Sequence, residues 1–251
     1  MTTIYTRKVG VEIEVENVIP NEGLANLNFW DVQEDPSLRN NGLELVSNGP
    51  TTPANFLRAM AELKEITPTH LAEADLSDRC SVHVHVDVTD FTTEQLYTLC
   101  LLYTIFERPI YLASGNRWSN KYCVPVQASA YLQEAIARLP HQKEVVSSEY
   151  RYGGINLNAL IKFNSVEFRH HVATLDTAVL TRWVVGLRHF VEMSKQYNST
   201  TILSLISEDS YTEVAAVLFT PGFFSSINYK HIRAGLKCAE GIHLTHLLHR
   251  S

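Results

Sequence analysis

Three short runs alternate apolar and ionisable side chains with a period of two: Val11-Glu12-Ile13-Glu14-Val15-Glu16, Ser81-Val82-His83-Val84-His85-Val86-Asp87 and Val166-Glu167-Phe168-Arg169-His170-His171. Successive side chains of a strand point to opposite faces, so this period predicts strands that are apolar on one side and chemically loaded on the other. The first is expected over 8–17, with others over 28–33, 42–47, 81–88, 152–158 and 164–172. The last two read as a hairpin that turns around Ile161 to Asn164. Spacings of three and four predict helices between the strands. Thr52-Pro53 sets proline at a first helical position ahead of Phe56, Leu57, Met60 and Leu63. Thr92 and Gln95 read as a capping box for a helix carrying Leu96, Leu99, Tyr103 and Phe106 and disturbed at Pro109. Another helix is expected over 127–139. From Asp176, a candidate N-cap, only helices follow: 177–197, 199–207, 210–218, 226–237 and 239–249. Strands with interspersed helices, then helices alone, predict an α+β fold: a core over 1–180 and a helical region over 181–251 packed on it.

Alternation by itself describes any half-solvated antiparallel sheet. The kind of charge changes that reading. Side chains at i and i+2 of a strand lie about 7 Å apart, where two like charges repel by about 0.6 kcal/mol in water and about 2 kcal/mol at an effective dielectric of 20. A row of Glu12, Glu14 and Glu16 with no interspersed cation is most simply explained by a bound cation. Glu44, between Leu43 and Leu45, is a carboxylate whose burial is costly unless it is paired or bound to metal; a rim position facing water is its alternative.

Composition narrows the class. The 251 residues are 45% hydrophobic and 19% charged, which is a folded globular chain. A net charge of −6 argues against a nucleic-acid or anionic-membrane surface and fits cation binding. Cys80, Cys100, Cys123 and Cys238 are widely spaced, without the pairing of a zinc ribbon or disulfide framework. The N-terminus lacks an apolar signal core and no run approaches a spanning length, so a cytoplasmic protein is expected.

Carboxylate-rich sites suit Mg2+ or Mn2+. His83 and His85 share a strand face, an arrangement that can also hold zinc, with Asp87 placed to orient an imidazole. Glu167 and Arg169 share a face: either a structural ion pair, or a metal ligand beside a cation that stabilises transferring phosphoryl charge. His171 continues that face, and His170 turns to the other with Val166 and Phe168. Arg117, Lys121 and Arg151 lie in segments rich in Gly, Asn and Tyr, where basic groups can clamp an anion. No GxxxxGK[ST] loop, GxGxxG turn or GxSxG elbow occurs, so bound phosphate would be held by metal and guanidinium.

Taken in order, Gly10-Val11-Glu12-Ile13-Glu14, Trp30 leading into Asp35-Pro36-Ser37-Leu38, Gly42 to Ser47, Cys80 to Asp87, Arg117 to Tyr122, Tyr152 to Asn158 and Ser165 to Arg169 resemble the putative amidoligase family, a branch of the carboxylate-amine ligases related to glutamine synthetase and glutamate-cysteine ligase. The resemblance spans roughly residues 8 to 180. It implies a curved, mainly antiparallel, glutamine synthetase-like sheet binding ATP and divalent metal, and a reaction that activates a carboxylate as an acyl phosphate before an amine captures it. It implies Glu12, Glu14, Glu44, His83 and Glu167 as metal ligands, and His85 near the nucleotide phosphates with Arg117 and Lys121. Arg169 would stabilise the transferring group, with Glu167 and Glu44 beside it in the catalytic set. Asp35 matches an acidic position near the site, but Pro36 stands where the family commonly has glycine. The expected partners are small-molecule or peptide carboxylates and amines, with no nucleic acid or membrane and with a homo-oligomer left open. Two rival readings are a zinc hydrolase using His83, His85 and Glu167, and a nucleotide- or metal-binding module without turnover.

Overall fold

The computed structural model describes residues 6–19, 21–139, 151–223 and 227–249. Its elements run β1 (Val9–Val15), α1 (Glu22–Ala25), β2 (Trp30–Glu34), β3 (Leu43–Ser47), α2 (Pro53–His70), β4 (Ser81–Asp87), α3 (Thr93–Ala113), α4 (Ala130–Arg138), β5 (Ile155–Asn156), α5 (Ala159–Phe163), β6 (Ser165–Val172), α6 (Thr177–Ser194), α7 (Ser199–Leu205), α8 (Tyr211–Leu218) and α9 (Tyr229–Leu248). The strands form one open sheet in the order β2-β3-β1-β4-β6-β5, antiparallel at every pairing. The fold is α+β, as the element order predicts.

The period of two builds the layers. Val9, Val11, Ile13, Val15, Val82, Val84, Val86, Val166 and Phe168 face the helices and are buried in a single core. Over that face pack α3 and α6, with α2 at its flank, where the Trp30 indole N–H donates to Ala59 O at 2.9 Å. The opposite face carries the ionisable side chains and stays open as a cleft.

Local chemistry sets the helix starts. Thr92 and Gln95 form the capping box of α3, Asp176 accepts from the Ala178 and Val179 N–H groups at the head of α6, and Pro53 is the first residue of α2. Four expectations change. The α3 helix continues through Pro109 to Ala113. The 152–158 segment pairs over only Ile155–Asn156, and a short helix, α5, stands where the hairpin turn is expected, closed by Asn164 in the left-handed conformation at φ 51°. The tail carries one long helix, α9, across Cys238 rather than two, because Gly235 is seated against α3; the predicted start at 226 lies outside the described residues. The 127–139 helix begins at Ala130, after a 3-10 turn over Val126–Ala128.

Candidate active site

Register, more than proximity in sequence, assembles the site. Glu44 stands directly opposite Glu14 across β3 and β1. Glu12 stands opposite His83 across β1 and β4, and His85 opposite Glu167 across β4 and β6. Glu167 is in turn opposite Asn156 on β5. Three adjacent rows therefore place four carboxylates and two imidazoles on the open face of the sheet.

The side chains interlock. Glu12 Oε2 is 3.1 Å from His83 Nδ1, and Glu12 Oε1 is 3.2 Å from His85 Nε2. The Ser81 hydroxyl donates to Glu14 at 2.5 Å and lies 2.8 Å from His83 Nε2. His85 Nδ1 is 3.0 Å from the Ser165 hydroxyl. Glu167 accepts from the Asn156 amide at 2.5 Å and pairs with the Arg169 guanidinium. His83 and Glu167 are buried at 2% and 4% exposure, so these charges are held away from bulk water and interact strongly.

The charge is out of balance at β3. Burial, then the neighbouring Glu12, Glu14 and Asp35 carboxylates, push the Glu44 carboxyl up to about 8. Hydrogen bonds from His83 and His85 outweigh burial at Glu12 and hold its carboxyl well below the ordinary range, and the same bond helps raise His85 against the burial that opposes it. The surplus is what a cation would relieve. Glu12, Glu44 and His83 each present a ligand atom, all within 4.8 Å of one another, and Glu12, His85 and Glu167 do the same. Carboxylate oxygens with one imidazole in each group fit a hard divalent cation, with Glu12 common to both.

Around this centre the cleft divides into two lobes that share Glu12. One, of about 300 Å³, has apolar walls from Val46, Pro50 and Phe163, with Lys8, His85, Asp87 and Thr89 among its polar lining. The other, of about 320 Å³, is lined by the carboxylates of Asp35, Glu44 and Glu14 and by the guanidiniums of Arg79, Arg151 and Arg169. Tyr122 and Tyr152 line it as well, with Arg79 5.7 Å over Tyr122 and Arg151 4.5 Å over Tyr152.

Of the residues singled out in the sequence, Glu12, Glu14, Glu44, His83, His85, Glu167 and Arg169 converge here. Glu14 lies beside the two ligand groups without belonging to either, and His85, placed by resemblance near phosphate, completes the second. Asp35 and Arg151 line the second lobe. Arg117 is buried beneath it, and its guanidinium donates to the carbonyl oxygens of Arg169 and Asp78. Lys121 is exposed, with its ammonium 5.0 Å from the Tyr122 ring. His171 leaves the cleft. A β-bulge puts Arg169 and His170 together opposite His83, which reverses the alternation beyond it and turns His171 onto Trp183 at 5.1 Å.

Sequence reasoning assigned no role to Ser81, Asn156, Ser165, Arg79 or Phe163. Ser81 and Ser165 sit two residues from His83 and Glu167 on the same faces, so extending each alternation by one step finds them. Asn156 and Arg79 are brought in by pairing and by a loop, and carry no such signal.

This open antiparallel sheet, with paired carboxylate–imidazole groups beside a guanidinium, has the inventory of an enzyme that handles charged oxygens. A family profile described as putative amidoligase enzyme matches residues 26–191, two thirds of the chain, and the protein belongs to that family. No curated protein matches it. Among the described residues no helix is long and apolar enough to cross a membrane.

Proposed function

We propose that the protein is an ATP- and Mg2+-dependent carbon–nitrogen ligase that activates a carboxylate as an acyl phosphate and passes it to an amine, giving an amide, ADP and phosphate. The observation that carries this reading is the convergence of two carboxylate–imidazole groups and Arg169 on one face of the sheet, in a chain of the amidoligase family. Kinship of the core with glutamine synthetase is part of the same proposal and rests on the ordered motifs.

Glu12, Glu44 and His83 would hold one divalent cation, and Glu12, His85 and Glu167 a second. Bound Mg2+ supplies charge neutralisation to phosphate and carboxylate oxygens, and Mn2+ suits the same donors. Arg169 stabilises the transferring phosphoryl group, with Glu167 and the Asn156–Glu167 bond fixing its direction. The lobe walled by Val46, Pro50 and Phe163 suits a heteroaromatic base, and its Lys8 suits an anionic neighbour. The lobe lined by both kinds of charge suits the substrates: Arg79 and Arg151 for a carboxylate, Asp35 and Glu44 for an ammonium. Arg117 supports the site from below through the Arg169 carbonyl.

The zinc-hydrolase reading asks both imidazoles of the HxH pair to meet one metal. They fall instead into different ligand groups.

The test is incubation of the protein with ATP, Mg2+ and pools of amino acids, polyamines and peptides. Phosphate should be released, and a product should form that is one water lighter than its two substrates together. Arg169→Gln should abolish both signals. Silence across broad pools, together with no binding of a nonhydrolysable ATP analogue, overturns the reading.

A further inference from the structure

Behind the cleft, on the helix side of the same strand, a second set of polar groups is sealed in the core. His170, Tyr103, Tyr111 and Glu107 are all fully buried, at 0% exposure. His170 Nε2 lies 2.5 Å from the Tyr103 hydroxyl, and the Glu107 carboxylate stands one turn along α3. Glu107 also accepts from the backbone N–H groups of Val126 at 2.6 Å and Gln127 at 3.0 Å. The phenol and the imidazole can share this bond in either sense, since each carries a donor and an acceptor. Burial keeps the His170 imidazole neutral.

This buried set meets β6 at its bulge. There the Arg169 N–H donates to Gly154 O at 2.9 Å, and Arg117 donates to Arg169 O at 3.3 Å. A Cβ on Gly154 would come within 2.4 Å of the Tyr111 hydroxyl and 2.8 Å of the Tyr103 hydroxyl, so the chain edge paired with Arg169 rests on these phenols. Without the bulge, regular alternation would return His171 to the cleft face and turn Val172 inward. Buried polar groups destabilise a core unless they are satisfied, and His170 Nδ1 has no hydrogen-bond partner among the described residues, so the bond to Tyr103 is the one that holds this ring in place. The arrangement at stake here is the β6 register.

We propose that Tyr103 is a positioning residue for the cleft: through its hydrogen bond to His170 it fixes the bulge in β6, and so the direction in which the Arg169 guanidinium meets Glu167 and His83. Arg169 touches the reacting groups in the proposed function; Tyr103 acts through it from the far side of the sheet. The inference rests on the ligase reading only for the nucleotide arm of its test.

Tyr103→Phe removes one oxygen and keeps the buried ring. Tyr97→Phe, which loses a hydroxyl elsewhere on α3, is the control. In the full chain, amide hydrogen exchange at Arg169 should quicken by about tenfold in Tyr103→Phe and stay unchanged in Tyr97→Phe. Affinity for a nonhydrolysable ATP analogue with Mg2+ should fall by about tenfold in Tyr103→Phe, and no further fall should follow when the change is made in an Arg169→Gln background. A hydroxyl that merely supported the fold would give additive losses. Unchanged exchange at Arg169, or additive losses, overturns the proposal. Should the unmodified protein bind no nucleotide, the ligase reading fails, and the exchange arm decides for Tyr103 by itself.

Discussion

Glu44 concentrates the energetics of the site in one side chain. It faces Glu14 across the sheet and lies near Glu12 and Asp35, so burial and three like charges raise its carboxyl to about 8. A carboxyl raised in the folded state contributes stability that is complete below its ordinary value near 4.5 and is lost as pH rises through about 8. At pH 8 without divalent cation, Glu44→Gln should therefore melt higher than the unmodified protein, by an amount on the order of 2 kcal/mol. Added Mg2+ should stabilise the unmodified protein and do much less for the variant. Thermal melts with and without Mg2+ check both signs, and a variant that melts lower yet keeps the full Mg2+ response would remove Glu44 from the cation site. The same residues mark what sequence can reveal. The glutamate row announces its charge problem, but that Glu44 and Glu14 are direct neighbours is a fact of strand register. His171 shows the opposite failure, because one inserted residue in β6 reverses an alternation that is otherwise correct.

At the scale of elements, α3 is the organising helix, and two of its features lead to measurable effects. Pro109 has no N–H for the Ile105 carbonyl, and that carbonyl faces α9 at Gly235, where a Cβ would lie 2.3 Å from it and 2.5 Å from Thr104 O. Backbone cannot retreat as a flexible side chain can. Gly235→Ala should push α9 off α3 and lower stability by about 3 kcal/mol, despite alanine's better helix propensity, as read by denaturant unfolding. The second feature is Glu107. Complete burial raises it to about 7 although two backbone N–H donors pull the other way. Its contribution to stability is complete below about 4.5 and is lost by about pH 7, a fall of about 3 kcal/mol. Glu107→Gln should flatten that part of the pH profile, which denaturant midpoints at pH 5, 6, 7 and 8 would show. Burial of His170 acts in the other sense, favouring the folded state above the ordinary imidazole value, so a residual rise with pH should remain in the variant. The apolar spacing of α3 is plain in the sequence. The proline is conspicuous there only as an apparent break, which is why a disturbed α3 is expected and does not occur, and the glycine at the α3–α9 contact carries no signal of its own.

For the whole molecule, the strands with their interspersed helices, followed by helices alone, suggest a catalytic core over 1–180 with a helical region packed on it, and the buried side chains of the two run together. Leu180, Trp183, Val184, Leu187 and Phe190 of α6 and Ile232, Ala239 and Ile242 of α9 belong to the same buried cluster as Val11, Val84 and Phe168 of the sheet. Phe190 stacks on Phe219 beyond α8 and meets Phe168 edge-on at 6.4 Å, so one aromatic chain runs from the strand that carries Arg169 into the tail. The α9 helix covers α3, the helix that holds the back of β6, and His246 donates to Ala137 O at 3.1 Å to tie it to α4. Ending the chain at 180 would remove nearly all of α6 and the whole of α9, exposing Tyr97, Leu101, Ile105 and neighbouring residues that are fully buried in the intact protein. At about 25 cal/mol per Å² of apolar surface, losing the cover of even a few such side chains exceeds the 5–15 kcal/mol by which ordinary domains are stable. The chain over 1–180 should therefore lack a cooperative unfolding transition, and the intact protein should unfold in one, with far-ultraviolet circular dichroism and tryptophan fluorescence reporting the same midpoint because Trp30 lies on β2 and Trp183 on α6. Two separate midpoints, or a sharp transition in the shortened chain, would establish the tail as a unit of its own. A single transition instead makes the helical region part of what fixes the β6 bulge and the aim of Arg169.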